Sequence, residues 1–200
     1  MQLIPETNDL NKYLNSSDFI DYEDIGIQKT AVNLSKDIKG EIKVIKTVYE
    51  FVRDDISHSM DIDSEFITVK ASDVLKYKQG LCFAKSHLLA AILRFLKIPT
   101  GFCYQKLEFE EGFGLHGLNA VFIRVLDKWI RLDARGNKRG IGAQFSLNKE
   151  ILAYIPRPEN GEIDYPIIYP LPNRRVLEVL KDSENLTKAV EKVNETEWSL

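Results

Sequence analysis

Two cysteines, three histidines and scattered carboxylates are the groups in this 200-residue chain that could build nucleophilic chemistry. The stretch "KQGLCFAKSH", Lys78 to His87, sets Cys82 two positions after Gly80, at the head of an amphipathic run. A thiol attacks a carbonyl well only as its thiolate, and a free cysteine, with a pKa near 8.5, is mostly protonated at neutral pH. A helix starting at Cys82 would help, because its unpaired N–H groups and positive dipole end favour a sulfur anion. The Cys82 backbone N–H could then face a developing oxyanion, with the nearby Gln79 amide a candidate second donor. Gly80 lets the chain turn tightly and lets a substrate approach closely.

The second helper must be an imidazole, and the candidates are His58, His87 and His116. His87, five residues after Cys82, would lie about 140° around the helix and cannot be the partner. It reads as a helix-surface or partly buried packing residue. His58 lies in "DISHSMDID", where the helical pattern breaks. His116, in "GFGLHGLNA", stands at the entrance to a strand, and the next strand carries Asp133.

Pairing across that hairpin depends on its loop. With an even loop, odd positions oppose even ones, so His116 and Asp133 share a face. A two-residue loop at Asp127–Lys128 would oppose Asp133 to Phe122 and leave His116 about 20 Å along the strand. A four-residue loop, Arg124 to Asp127, opposes Asp133 to Leu118 and makes His116 its diagonal neighbour at about 7 Å. A Cys-His-Asp triad therefore requires the longer turn or a bulge. Asp133 also sits just inside the apolar alternation of Trp129, Ile130 and Leu132, where an unpaired charge would be costly.

The elements that must position these groups follow from hydrophobic period. Apolar residues at helical spacing between Gln28 and Ile56, interrupted by Gly40, predict two helices. "ASDVLKYKQG" predicts a short helix ended by Gly80. Cys82 to Lys97 predicts the central buried helix, with Leu88, Leu89, Ile92, Leu93 and Leu96 on one face and Lys85, Arg94 and Lys97 largely away from it. After Pro99, "TGFCYQKLEF", "GLNAVFIRV" and "KWIRLDA" predict an antiparallel meander of three strands. Cys103 and Trp129 on these strands read as packing residues. "EFEEGFG" reads as a solvated loop or a mobile rim whose acids would favour a basic substrate. The last sixty residues, with the proline-punctuated connection "YIPRPENGEIDYPIIYPLP" and the run "RVLEVLKDSENLTKAVEKV", predict a C-terminal wrap, ending in two short helices or one broken helix, with no chemistry of its own.

Apolar residues make up 44% of the chain and charged residues 28%, an ordinary globular composition of one-domain size. The net charge of −3 comes from interspersed signs, which argues against nucleic-acid or anionic-membrane binding. The start shows no secretory pattern and the chain no long apolar run, so a cytoplasmic protein is expected. Two cysteines are too few for a disulfide scaffold or a paired-cysteine zinc site, and neither metal nor organic cofactor is expected.

Taken together, "GLCFAKSHLLAAILRFLKIPTGF", "HGLNAVFI" and "KWIRLDARGN", led by "IKTVYEFVRDDISH", resemble the transglutaminase-like superfamily, a papain-like group. The resemblance covers roughly residues 40 to 137. It implies an α+β papain-like fold, helices and a Cys-headed central helix packed on an antiparallel sheet, within a single domain over 1–200 whose extension begins near residue 138. It also implies Cys82 as nucleophile, His116 as base and Asp133 as the group that orients the imidazole. "DARGNK" departs from the proline-containing continuation of many members, so the loop beside Asp133 is expected to be specialised.

The expected function is thiol-dependent acyl transfer at an amide or peptide bond of a peptide, protein or small amide through a thioester. Hydrolysis is slightly preferred over transamidation. The alternatives are a catalytically silent module of this fold that binds a peptide or protein partner, or an acyl-CoA-dependent acetyltransferase.

Overall fold

A computed structural model describes residues 1–109, 112–196 and 198. Strand β1 (Ile4–Pro5) precedes helices α1 (Ile25–Ser35) and α2 (Glu41–Asp54). Two short strands, β2 (Ser57–His58) and β3 (Gln79–Gly80), flank α3 (Ala71–Tyr77) and lead into α4 (Cys82–Phe95). The long strands β4 (Thr100–Phe109) and β5 (Gly112–Ile123) follow, then β6 (Lys128–Leu132). The chain closes with β7 (Ile163–Asp164), β8 (Ile167–Ile168), α5 (Arg174–Lys181) and α6 (Leu186–Glu195).

Local chemistry accounts for the helix ends. The Asp24 carboxylate accepts the Gly26 and Ile27 N–H groups at the start of α1. Gly40 enters α2 at a φ of 99°, a conformation that suits glycine. At the end of α4, Lys97 takes the left-handed conformation while Lys97 and Ile98 N–H groups close on the Arg94 and Leu93 carbonyls. The predicted helix therefore stops two residues early, before Pro99.

The principal sheet runs β6-β5-β4-β7. Its first three strands form the expected antiparallel meander. Strand β5 begins earlier than predicted, because Phe109 pairs with Gly112 and much of "EFEEGFG" is hairpin; Glu110 and Glu111 of that stretch lie outside the described residues. Ile123 pairs with Lys128, so the turn between β5 and β6 is the four-residue Arg124 to Asp127. Asp133 lies just past the end of β6 rather than within it.

Alternation along the strands divides the packing. Phe102, Val121, Ile130 and Leu132 join the main core with α1, α2 and α4. Cys103, Leu118 and Ala120 face the other way, against Tyr13 and Ile168, with Trp129 edge-on to Tyr13 at 4.8 Å. Parallel pairing of β1 with β8 and antiparallel pairing of β4 with β7 tie the last third of the chain to what precedes it.

Helix α4 departs from its expected amphipathic form. Lys85, His87 and Arg94 are buried along with its leucines. Each polar head reaches backbone carbonyls that the surrounding loops leave free. Arg94 donates to Asn15, Thr100 and Pro170 oxygens, and a His87 ring nitrogen meets the Val69 carbonyl at 2.7 Å. A charge or imidazole is tolerated inside a core when its donors are satisfied in this way.

Candidate active site

Cys82 opens α4, preceded by Leu81 in extended conformation, and no side chain caps this end. The N–H groups of the first turn therefore point outward without a side-chain acceptor. Phe83 presses this turn onto β5 at Gly117, where a Cβ would lie 2.6 Å from the Phe83 ring. The glycine beside His116 thus sets how closely the helix head approaches the strand.

Strand pairing brings the next two groups together. His116 Nε2 lies 2.9 Å from Asp133 Oδ2, with both side chains almost fully buried. The Cys82 side chain lies close enough to the same imidazole to favour its charged form, and since Nε2 is engaged with Asp133, Nδ1 is left for the sulfur. Burial works against the imidazolium, but the Asp133 charge, its hydrogen bond and the Cys82 contact raise His116 to about 10. Burial would likewise raise Asp133. The His116 charge and hydrogen bond, with N–H donors from Ala153 at 2.9 Å and Arg135 at 3.1 Å, outweigh it and hold the carboxyl below its ordinary value.

The remaining supports come from distant segments. Tyr49 of α2 donates its hydroxyl to the Asp133 carbonyl at 3.1 Å. Lys85, one turn after Cys82, donates to the carbonyls of Arg53, Ile56 and Arg135, joining the end of α2, the approach to His58 and the exit from Asp133. Burial and the Arg135 guanidinium lower this ammonium to about 7. Its charge is invisible to a periodicity argument, which places it at the surface. Tyr154 stands edge-on to the His116 ring at 4.9 Å and accepts from Arg135 Nε at 3.2 Å. The C-terminal segment, expected to lack a chemical role, supplies both this ring and the Ala153 N–H.

Parallel pairing of His58 with Gly80 carries the third imidazole to the site. His58 is 8% exposed, and its Nδ1 has no hydrogen-bond partner. Burial, reinforced by Arg135, holds it well below its usual value and hence neutral. Gln79 lies in the same short ladder, opposite Ser57, and its carbonyl accepts from Thr68. A cavity of about 550 Å³ is lined by Cys82, His116 and His58, together with residues from the 135–141 loop, Tyr154 and α6; Gln79 is not among its described lining residues.

Cys103 stands apart, fully buried on β4 opposite Leu118. Both cysteines are free thiols. Among the described residues no three His, Cys, Asp or Glu side chains gather so as to hold a metal ion, and no helix is long and apolar enough to cross a membrane.

Comparison with known proteins follows this geometry. Residues 28–134 match the transglutaminase-like superfamily. No curated protein sequence matches the chain. The structure of a "putative cysteine protease" from Cytophaga hutchinsonii superposes with a TM-score of 0.54 at 19% identity, over 64% of this chain and 43% of that one. This chain thus spans less than half the length of that protein, and the likeness is one of fold. A "TGase" structure aligns over 93% of this chain and 55% of its own at 13% identity and a TM-score of 0.49. A "putative protease" from Parabacteroides distasonis aligns over 60% and 25% at 15% identity and a TM-score of 0.41. Since the matched residues 28–134 make up more than half of its length, the chain belongs to the transglutaminase-like superfamily.

Proposed function

We propose that this chain is a thiol-dependent acyl-transfer enzyme that cleaves an amide or peptide bond of a peptide, protein or small amide. The observation that carries the reading is Cys82 at a helix head beside the hydrogen-bonded His116–Asp133 pair, opening with His116 on one cavity. In the reactive form the Cys82 proton already resides on His116 Nδ1 as the imidazolium, and the sulfur attacks the substrate carbonyl. The oxyanion that forms takes the Cys82 backbone N–H. For the second donor, His58 is better placed than Gln79, because it lines the cavity and keeps a neutral ring there. His116 then protonates the departing amine, leaving a thioester on Cys82. In the second half His116 takes a proton from water, hydroxide adds to the thioester carbonyl, and the thiol departs with a free acid as product.

Asp133 holds the imidazole with one nitrogen toward the sulfur and stabilises its charged form. Water is favoured over an amine as acceptor because it needs no binding site of its own. Ala153, Tyr154 and α6 complete the site, which favours residues 1–200 acting as one unit. Free buried thiols suit a reducing compartment, and we assign the protein to the cytoplasm.

The test is alkylation by iodoacetamide across pH 5 to 9 in the wild type, His116→Ala and Cys103→Ser, followed by mass spectrometry of wild type mixed with activated amides. Labelling of Cys82 that persists in the acid range, slows without His116, and is accompanied by a thioester adduct supports acyl transfer. Labelling indifferent to His116, with no adduct, sinks it and turns the reading to a silent module that binds a peptide in the same cleft.

A further inference from the structure

We infer that the cavity beside Cys82 selects an amide substrate carrying a carboxylate close to a bulky apolar side chain. This rests on the acyl-transfer reading above and deepens it. The cavity's two sets of walls come from different elements and differ in chemistry. Leu81 and Phe83 from the head of α4, Phe109 and Leu115 from the β4–β5 hairpin, and Val190 and Val193 from α6 make an apolar surface. His58, Arg135 and Lys138 supply polar and cationic groups. At about 550 Å³ the space suits a ligand of roughly dipeptide size.

Charge at the polar wall is unbalanced. Arg135 and Lys138 both lean on one carboxylate, Asp61, the arginine through both guanidinium Nη atoms and the lysine at 2.7 Å. Among the described residues these two cations share a single anion. None of the described lining residues is an aspartate or glutamate, although the whole chain carries a net charge of −3. Arg135 is buried and held by Asp61 and Tyr154, which makes it a fixed charge. Lys138 has a side chain 47% exposed and can turn from Asp61 to a ligand.

The buried His58 ring lines the same cavity with a nitrogen that no protein group satisfies. A substrate carboxylate would take the Lys138 ammonium, because the single N–H of the neutral His58 ring is committed to the oxyanion. A substrate ammonium at that place would meet like charge on Arg135 and Lys138, with no carboxylate among the described lining residues. The apolar surface buries the neighbouring side chain and so fixes where along the substrate the carbonyl meets Cys82.

The experiment measures calorimetric binding to the full-length Cys82→Ala protein, which needs no turnover. The probes are N-acetyl-phenylalanyl-glutamate, its uncharged diamide, and N-acetyl-phenylalanyl-lysine amide. The acidic probe is expected to bind at least about tenfold more tightly than the diamide and the basic probe weakest, with the gap narrowing at 0.5 M salt. Adding Lys138→Glu should reverse the order of acidic and basic probes, and Lys138→Gln should compress it. Replacing phenylalanine by alanine in the acidic probe should weaken binding by a further tenfold or so. Equal affinities, no binding of any probe, or an order untouched by Lys138→Glu overturns the inference. Charge-selective binding with no thioester on the wild-type protein would leave the cavity's selectivity standing and sink acyl transfer. A thioester with charge-blind binding would do the reverse.

Discussion

The two cysteines are both buried, yet their surroundings separate them completely. Cys103 sits mid-strand in the smaller core between Tyr13, Leu118 and Ile168, and burial pushes its thiol up to about 12. Cys82 heads a helix without a side-chain cap, lies beside a charged imidazole and opens on a cavity. Burial by itself makes a cysteine inert; what differs at Cys82 is that polar partners and a helix end are buried with it. The same contrast holds along α4, whose buried polar side chains Lys85, Ser86, His87 and Arg94 are stabilised by carbonyls rather than excluded from the core.

The sharpest way to break the comparison is to remove each thiol. Cys82→Ala should lower amide turnover by about 1,000-fold or more, whereas Cys103→Ala should stay within about twofold, both read as initial rates on one substrate. Comparable losses would mean that the two sites are not chemically distinct.

Lys85→Met comes next. It strips donors from three carbonyls around Cys82, none of them near Cys103, and should destabilise the fold by about 3 kcal/mol in urea titration. A neutral outcome would show that the carbonyls find other partners.

His116→Ala should slow iodoacetamide labelling of Cys82 at pH 7 by about tenfold and leave Cys103, labelled only on unfolding, unaffected. The pH dependence has a definite sign. His116 is raised from 6.5 to about 10, so its contribution to stability is complete below pH 6.5 and is lost as pH rises through 10. The proton for the leaving amine disappears over the same interval, so turnover should fall along an alkaline limb near pH 10.

His87 runs the opposite way, and the effect is smaller because it touches no reacting group. Burial lowers it to about 4, so the unfolded chain takes up a proton first and stability falls as pH drops from 6.5 toward 4. The full loss is about 3 kcal/mol, of which about 2 kcal/mol is reached by pH 5. Urea midpoints at pH 7 and pH 5, compared with His87→Gln, would isolate it.

Much of this site could be read before any coordinates. Cys82 stood out through its place at the start of a periodic run. Strand parity, which depends only on the two-residue repeat of a strand, puts His116 and Asp133 on one face for any even turn, but it leaves open the turn length that brings them together, which is set by the pairing of Ile123 with Lys128. Helices, meander and the Cys-headed central helix followed from hydrophobic period, a local property. Lys85, Arg94 and His87 escaped the same reasoning, because a polar residue reads as exposed unless the carbonyls it will satisfy are known. Those carbonyls belong to residues up to 79 positions away.

The sequence by itself determined the order of the main helices and the three-strand meander, and that an even turn would set His116 and Asp133 on one face, because these follow from local periods. Only the tertiary structure decided that Tyr154 and Ala153 pack against His116 and Asp133, that α6 walls the cavity, and that Arg135 and Lys138 converge on Asp61. Each of these joins segments far apart in the chain, and such contacts arise from packing that no local period or spacing encodes.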